Sequence, residues 1–298
     1  MTQPVPLSVA IPTFGRDEVL LDSLRALLDL SPPAAEILVL DQTPRHSTST
    51  DARLGAWNDT GRIRWVRLAE PSIPRAMNRA LQLATQPFVL FLDDDIIPDA
   101  GLLQAHLDAQ TRLAGVIVAG RVIQPWEEGR AFDESAPFRF AGLRSAWIRE
   151  FMGGNFSVPR ALALELGGFD ENFVRVAYRF EAEFAHRYLA TGLRIWFEPS
   201  ACIHHLKANS GGTRTYGEHL TTSRPDHAVG DYYYSLRSGK LGTFLVRPVK
   251  SIITRYHLRR PWQIPATLWA EFRGMAWALS LYRRGPRHVA AQTGGSNP

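Results

Sequence analysis

The run Phe88-Val-Leu-Phe-Leu92, followed at once by Asp93-Asp94-Asp95, constrains the fold of this 298-residue chain more than any other stretch. Five apolar residues without polar alternation predict a strand covered on both faces, as in parallel sheets flanked by helices. Three carboxylates stand where that strand ends, and open α/β sheets bind ligands beyond the carboxyl ends of their strands. Crowded carboxylates repel unless a cation joins them, and hard divalent ions take oxygen ligands. Two readings stand. One is an Mg2+ or Mn2+ site for a phosphorylated ligand; the other is a solvated acidic turn in which Asp99 caps a helix beginning near Leu102.

The chain before this point has the makings of such a sheet. Residues 7–11 are a short apolar strand ended by Pro12, and residues 13–16 a turn. Asp17 precedes a helical pattern of Leu20, Leu21, Leu24, Leu27 and Leu28, stopped at Ser31-Pro-Pro33. Residues 36–40 form a second buried strand that again ends on a carboxylate, Asp41. Strand, helix, strand at this spacing predicts a βαβ unit with parallel strands. Residues 42–60 are polar and read as loop. Residues 63–68 alternate like a half-buried strand, and Pro74 suits the first turn of a helix over 75–84. After the acidic turn come a helix near 100–113 and a strand at 116–119. Four βα units in order predict an open, mostly parallel, doubly wound α/β sheet. No Gly-x-Gly-x-x-Gly or Walker lysine loop is present, so a phosphate would have to be held another way, and a metal on the aspartates is the obvious means.

Residues 120–150, rich in Trp, Arg and Glu, read as a long mobile loop. In Phe151-Met-Gly-Gly-Asn-Phe-Ser-Val-Pro159 the pair Gly153-Gly154 allows close backbone approach to a ligand, or marks a plain bulge. Residues 160–166 predict a short helix closed by Gly167-Gly168, residues 169–173 a turn, and residues 179–190 a helix closed by Gly192. Glu181 and Glu183 lie in the first turn of that helix, where the dipole favours acids; one of them could instead be a general base. Strands at 194–197 and 201–203 end on His204-His205, which are hydrogen-bonded surface groups or neutral metal ligands.

Composition bounds the setting. A single cysteine, Cys202, excludes an internal disulfide. The N-terminus lacks the basic and apolar regions of a signal peptide, and no apolar run of ~18 residues exists to span a membrane; a cytoplasmic location is expected. The net charge of +5 is unevenly placed. From Arg237 onward there are 11 Lys and Arg and one acid, Glu271, which leaves the preceding residues at −5. A basic tail on an acidic body suits an anionic partner surface, or is a solvated face. Nucleic acid is not expected, since no helix-turn-helix, zinc or RRM signature is present. In the tail Trp269, Phe272, Met275, Ala276 and Leu279 recur at three- and four-residue steps. Such a stripe is the core face of a terminal helix, or the buried face of a helix lying on an anionic bilayer.

Taken in order, these segments resemble family 2 glycosyltransferases of the GT-A fold over roughly residues 7–215. The resemblance implies nucleotide contacts from Pro12, Thr13, Phe14 and Arg16, and base recognition by Asp41. Residues 71–78 look like the family's loop-helix, with Asn78 kept and Met77 in place of the usual arginine. Asp93-Asp94-Asp95 matches the Asp-x-Asp motif: Asp93 and Asp94 on the nucleotide side, Asp95 as the direct metal ligand. Gly153, Gly154 and Asn155 look like the acceptor-side segment. Phe180-Glu-Ala-Glu183 stands for the base motif, with Glu181 at the place of the catalytic aspartate, Phe180 replacing its acidic neighbour, and Glu183 on the acceptor side. His205, or His204 if the strand register slips, matches the late metal histidine, and Arg214 lies in the loop that closes over the diphosphate.

The implied organisation is a GT-A domain over 1–220, with a nucleotide half to about 119 and an acceptor half from 120, then a basic helical extension over 221–298. The implied activity is metal-dependent, inverting hexosyl transfer from a nucleotide-sugar donor, a UDP-sugar first, to a glycan or lipid-linked hydroxyl, as in polysaccharide synthesis. The protein would sit in the cytoplasm, peripheral on the inner face of the membrane. A nucleotidyltransferase would need a glycine-rich loop after the first strand, and Thr13-Phe-Gly-Arg16 is too poor in glycine. A non-catalytic nucleotide-sugar binder or membrane-surface protein is favoured if Phe180 marks a lost base motif.

Overall fold

Strand and helix alternate through most of the chain in a computed structural model that describes residues 3–130, 132, 137–216 and 222–289. The first half runs β1 (Val5–Thr13), α1 (Glu18–Leu28), β2 (Ala34–Asp41), α2 (Thr48–Asp59), β3 (Arg64–Arg67), α3 (Ile73–Leu83), β4 (Phe88–Leu92), β5 (Ile96–Pro98), α4 (Leu102–Arg112) and β6 (Val116–Ile123). Then come β7 (Ala146–Ile148), β8 (Asn155–Pro159), α5 (Arg160–Glu165), α6 (Phe180–Ala190) and β9 (Arg194–His205). The C-terminal part is helical: α7 (Ala228–Arg237), α8 (Leu241–Ile252), α9 (Arg255–Arg259) and α10 (Ile264–Arg283).

All nine strands join one sheet in the order β3-β2-β1-β4-β8-β6-β9-β5, with β7 on β9. The strands β3, β2, β1 and β4 are mutually parallel, as the unbroken apolar runs of β1, β2 and β4 predict. Because β1 is covered on both sides, Leu7, Val9 and Ile11 pack with the leucines of α1 while Ala10 packs with α3. Burying each such side chain stabilises the fold by about 1.5–3 kcal/mol.

The second half departs from a simple doubly wound order. The strand β8 inserts between β4 and β6, antiparallel to both, and β6 then pairs parallel with β9. The four-unit order expected from sequence is therefore interrupted at its last step, and the sheet is mixed. The strand expected at 116–119 continues to Ile123. The two expected at 194–197 and 201–203 are one strand, β9, whose irregularity opposite Gly120 and Arg121 absorbs Pro199, Ser200 and Ala201.

Residues 42–60, read as loop, contain α2. Ser47 caps it by accepting from the Thr50 backbone N–H at 3.2 Å, and Thr50, Leu54 and Trp57 are its only buried residues. Asp99 does not cap α4 through its side chain; the cap position is Gly101. Within 120–150 the described residues include the end of β6, a 3-10 turn at Pro125–Glu127 and β7, more order than a long loop implies. Downstream, Tyr232, Tyr233, Phe244, Ala278 and Leu281 of the C-terminal helices share one core cluster with Phe169, Phe184 and Tyr188.

Candidate functional site: an acidic cleft at the strand ends

The carboxyl ends of β1, β2, β4 and β9 open onto one cleft. Pro12, Thr13, Phe14 and Arg16 line it from β1, Asp93, Asp94 and Asp95 from β4, and His205 from β9. The three acids are held differently. Asp94 accepts from the Thr13 hydroxyl at 2.6 Å and pairs with Arg16 Nε at 3.3 Å; burial pushes its carboxyl up to about 7, against the pull of Arg16. Asp95 Oδ2 accepts from the Ala208 N–H at 2.8 Å and faces Arg16 at 3.4 Å, while its Oδ1 lies 3.1 Å from His205 Nε2. Burial alone would raise Asp95, but the hydrogen bond and charge of His205, the Ala208 N–H and Arg16 together hold it below the usual range. Asp93 Oδ2 is 3.8 Å from His205 Nε2 and half-exposed to the cleft.

One ligand atom each from Asp93, Asp95 and His205 falls within 4.8 Å of the others. Two carboxylate oxygens and one imidazole suit Mn2+ well and Mg2+ less readily. The other nitrogen of His205, Nδ1, sits 3.0 Å from the Gln124 amide oxygen. That contact is the kind that orients a metal-bound histidine from behind. The residues present therefore fit a divalent cation.

Arg16 also donates to the Ser210 carbonyl, and the Gly212 N–H donates to the Phe14 carbonyl at 2.7 Å. Residues 210–212 thus pack down on the β1 turn. A Cβ at Gly211 would lie 2.3 Å from the Gly15 carbonyl oxygen, so only glycine fits there. Arg214 falls in the 3-10 turn Gly212–Tyr216 at the cleft, but its side chain lies outside the described residues.

Gly154 and Gly153 run close behind Asp93 and against α6. A Cβ on Gly154 would lie 2.1 Å from Asp93 Oδ2, and one on Gly153 would lie 3.3 Å from the Phe180 ring. Phe180 is buried and meets Phe169 edge-on at 5.7 Å. It fills core volume where an acid was absent from the motif. The next residue, Glu181, lies in the first turn of α6. Burial pushes its carboxyl up to about 7; Arg179 opposes the shift, and Glu150 and Asp93 add to it. A carboxylate so poised suits general-base work near neutrality.

Several expected site residues are placed elsewhere. Asp41 is 1% exposed. Its carboxylate accepts from His46 Nε2 at 2.8 Å, Trp65 Nε1 at 2.9 Å and the Thr43 N–H at 2.9 Å, so it presents nothing to a base. Asn78 is buried and exchanges hydrogen bonds with the Phe169 backbone, N–H to Oδ1 at 2.8 Å and Nδ2 to carbonyl at 2.9 Å; it ties α3 to the 168–171 turn. Asn155 is fully buried. Its Nδ2 donates to the Arg121 and Ala201 carbonyls and its Oδ1 meets His106 Nε2, which makes it a joint between β8, β6, β9 and α4. Glu183 faces Arg187 at 2.8 Å and Arg237 at 3.8 Å in the interior, not the acceptor side. His204 turns to the opposite face of β9, 3.3 Å from Asp99 and 2.7 Å from Glu128; His205 is the histidine that reaches the acids. For Asp41, Asn78 and Asn155 the polar side chain is taken up by internal hydrogen bonds, as buried polar groups generally are.

Other cleft residues gave no sequence signal. Gln42, one residue past Asp41, lines the cleft and accepts from the Ser72 N–H. Arg175 brings a cation to the wall that also carries Met77. It lies in an irregular segment with a left-handed backbone, φ 61°, where neither periodicity nor motif marks it.

The family model described as "Glycosyl transferase family 2" matches residues 8–166. No match is found among curated proteins. Among solved structures, the mannosyltransferase PcManGT from Pyrobaculum calidifontis, in complex with GDP-Man and Mn2+, is similar at TM-score 0.57 and 21% identity, over 95% of this chain and 81% of that one. TarS 1-349 from S. aureus with UDP-GlcNAc is similar at TM-score 0.58 and 13% identity, over 100% and 98% of the two chains. GalNAc-T7 with UDP, GalNAc and Mn2+ is similar at TM-score 0.54 and 14% identity; 80% of this chain is covered, spanning about half (54%) of that protein.

Proposed function

The chain belongs to glycosyl transferase family 2, and we propose that it moves a hexosyl group from a nucleoside-diphosphate donor to a hydroxyl acceptor with inversion. The observation that carries this reading is the convergence of Asp93, Asp95 and His205 on one point of the cleft, with Glu181 in the first turn of α6 close enough for the charge of Asp93 to raise its carboxyl. A divalent cation held by those three side chains would offset the charge of the departing diphosphate. Arg16 holds Asp94 and Asp95 in place, and Arg175 adds positive charge to the wall where Met77 has none. Glu181 takes the acceptor's proton as its oxygen attacks the anomeric carbon; the bond to the diphosphate breaks and its electron pair leaves with the phosphate oxygen. One base and one displacement invert the anomeric centre, through a transition state of oxocarbenium character.

We propose a UDP-sugar as donor and a glycan or lipid-linked hydroxyl as acceptor, as in polysaccharide assembly on the cytoplasmic side. Mass spectrometry of the products formed from a panel of nucleotide sugars with Mn2+ tests the reaction. Absence of any transfer or donor hydrolysis across the panel would refute it. One observation favours a second reading: Phe180 is a core residue, so the base motif has lost one acid. A non-catalytic nucleotide-sugar binder would bind a donor of that panel, measured by calorimetry, and form no product from it.

A further inference from the structure

The C-terminal helices are turned inside out with respect to side-chain size. The helix α10 buries Thr267, Ala270, Gly274 and Ala278, and closes so tightly on α7 that a Cβ at Gly274 would lie 2.7 Å from the Ala228 Cβ. Leu281 at its far end is buried and Met275, Trp277 and Leu279 are half-buried, but two of its largest apolar residues point the other way: Trp269 is 59% exposed and Phe272 55%. The helix α8 buries Phe244, Pro248 and Ser251 and turns Leu241, Leu245, Val249 and Ile253 outward at four-residue steps, with Leu245 70% and Ile253 74% exposed. Between them Leu258 is 81% and Trp262 68% exposed. The helix α8 and the turn at Pro261–Gln263 pack against α10, so these residues crown one group of helices. A soluble monomer scatters exposed apolar residues singly; a concentration like this marks a surface that something else covers.

The charge around it identifies the cover. Lys240, Lys250, Arg255, Arg259, Arg260 and Arg273 are exposed in the same segment. Glu271, the one acid after Arg237, is 1% exposed and bonded to Tyr232 and Arg247. Arg247, read from sequence as part of the basic face, is spent on Asp231 and Glu271. The face is thus basic and apolar with no exposed acid. A second copy would bring like charges together, and nucleic acid offers nothing to exposed Leu, Val and Ile side chains. A bilayer with anionic headgroups takes both kinds of side chain: apolar ones at the acyl boundary, Lys and Arg among the phosphates. No helix among the described residues is long and apolar enough to cross a membrane, so the contact is with its surface.

We propose that the face built from α8, α9 and α10 docks on an anionic lipid bilayer. A lipid-linked acceptor would then lie within reach; that last step alone rests on the transferase reading. Arg175 lines the cleft and stacks over Trp277 of α10 at 6.0 Å, so the docked helices and the cleft wall touch.

The test is co-sedimentation of the full chain with phosphatidylcholine vesicles, with and without phosphatidylglycerol, at low and high salt. Binding to the anionic vesicles should exceed binding to the neutral ones by about tenfold or more at low salt, and fall as salt rises. The triple variant Leu245→Glu, Ile253→Glu, Trp262→Glu should lose about tenfold or more of that binding with an unchanged melting curve, since these side chains are exposed. Equal recovery in the supernatant under all conditions, or unchanged binding by the triple variant, overturns the proposal. So does a solution dimer that the triple variant splits in a protein that ignores lipid. Donor hydrolysis is read on the same samples. Turnover without lipid binding sinks the docking and leaves the transfer standing; lipid binding without turnover does the reverse.

Discussion

His205 stands between two partners of opposite kind: its Nε2 lies 3.1 Å from Asp95 Oδ1, and its Nδ1 lies 3.0 Å from Gln124 Oε1. The Gln124 side chain also accepts from the Glu127 backbone N–H, which fixes the amide oxygen as the accepting atom. Nδ1 therefore carries a proton, and Nε2 is aimed at the acids. Gln124→Ala should weaken Mn2+ affinity about 10- to 100-fold, measured by titration calorimetry. Asp95→Asn should abolish metal-dependent turnover with the fold retained by circular dichroism. Full activity of Asp95→Asn, or of the wild type in excess EDTA, would exclude the metal mechanism.

Glu181 should set the pH dependence of the reaction. Burial raises its carboxyl to about 7, and the base must be deprotonated to accept a proton, so the rate should climb as pH rises through about 7 and then level. Glu181→Gln should lower kcat by roughly two to four orders of magnitude, leave donor binding unchanged, and remove the pH step. A Glu181→Gln enzyme with wild-type turnover places the base elsewhere.

Glu183→Gln should act on stability and not on chemistry. The Glu183 carboxylate anchors Arg187, which in turn donates to the Leu166 and Gly168 carbonyls at 2.6 and 2.7 Å. Leaving Arg187 without its buried counter-charge should cost about 3–5 kcal/mol in urea unfolding, while Arg237 keeps Asp170 at 3.9 Å. A catalytically dead but equally stable variant would instead make Glu183 the base.

His46 bridges Asp41 at 2.8 Å and Asp17 at 2.9 Å with its ring fully buried. Burial alone would lower its imidazole, but the bonds and charges of the two carboxylates hold it above the ordinary value. A raised folded value stabilises the protein fully below the unfolded pKa of about 6.5, and that contribution fades as pH rises through the folded value. His46→Gln should therefore cost more stability at pH 6 than at pH 8. A difference independent of pH, or larger at pH 8, would rule out a charged His46.

The sheet and its acidic end were legible because they rest on continuous apolar runs. Residues 36–40 and 88–92 can only be strands buried on both faces, and the residues just past the ends of such strands lie at the cleft. The identity of His205 was legible once β9 had a register. Asp41, Asn78, Asn155 and Glu183 were read as facing a ligand, whereas the structure places their side chains in interior contacts, for a common reason. A polar side chain that satisfies an interior network has the same letter as one that meets a ligand, and only the partners tell them apart. The polar helix α2 hid its signal in three residues, Thr50, Leu54 and Trp57. In α10 the periodicity of Trp269 and Phe272 was visible, but its direction was not, because up to Leu281 the buried stripe is built of Thr, Ala, Gly and the paired Glu271 and carries little hydrophobic signal. Arg175 sits where the chain has no period at all.

The segment that carries Arg175 has a bearing on how this protein can be cut. Arg175, Ala177 and Arg179 all hold left-handed backbones, at φ 61°, 53° and 71°, each costing roughly 1–3 kcal/mol. Two of the three are pinned from beyond residue 220: Arg175 by Asp226 and Trp277, Arg179 by Asp231, with Gly230 so close that a Cβ there would lie 2.2 Å from the Tyr178 carbonyl oxygen. The C-terminal helices thus act as a clamp on a coiled spring whose free end is the first turn of α6, where Glu181 stands. A truncation that kept the whole sheet and every cleft residue, yet stopped before α7, would release that spring and displace Glu181, the proposed base, without touching it.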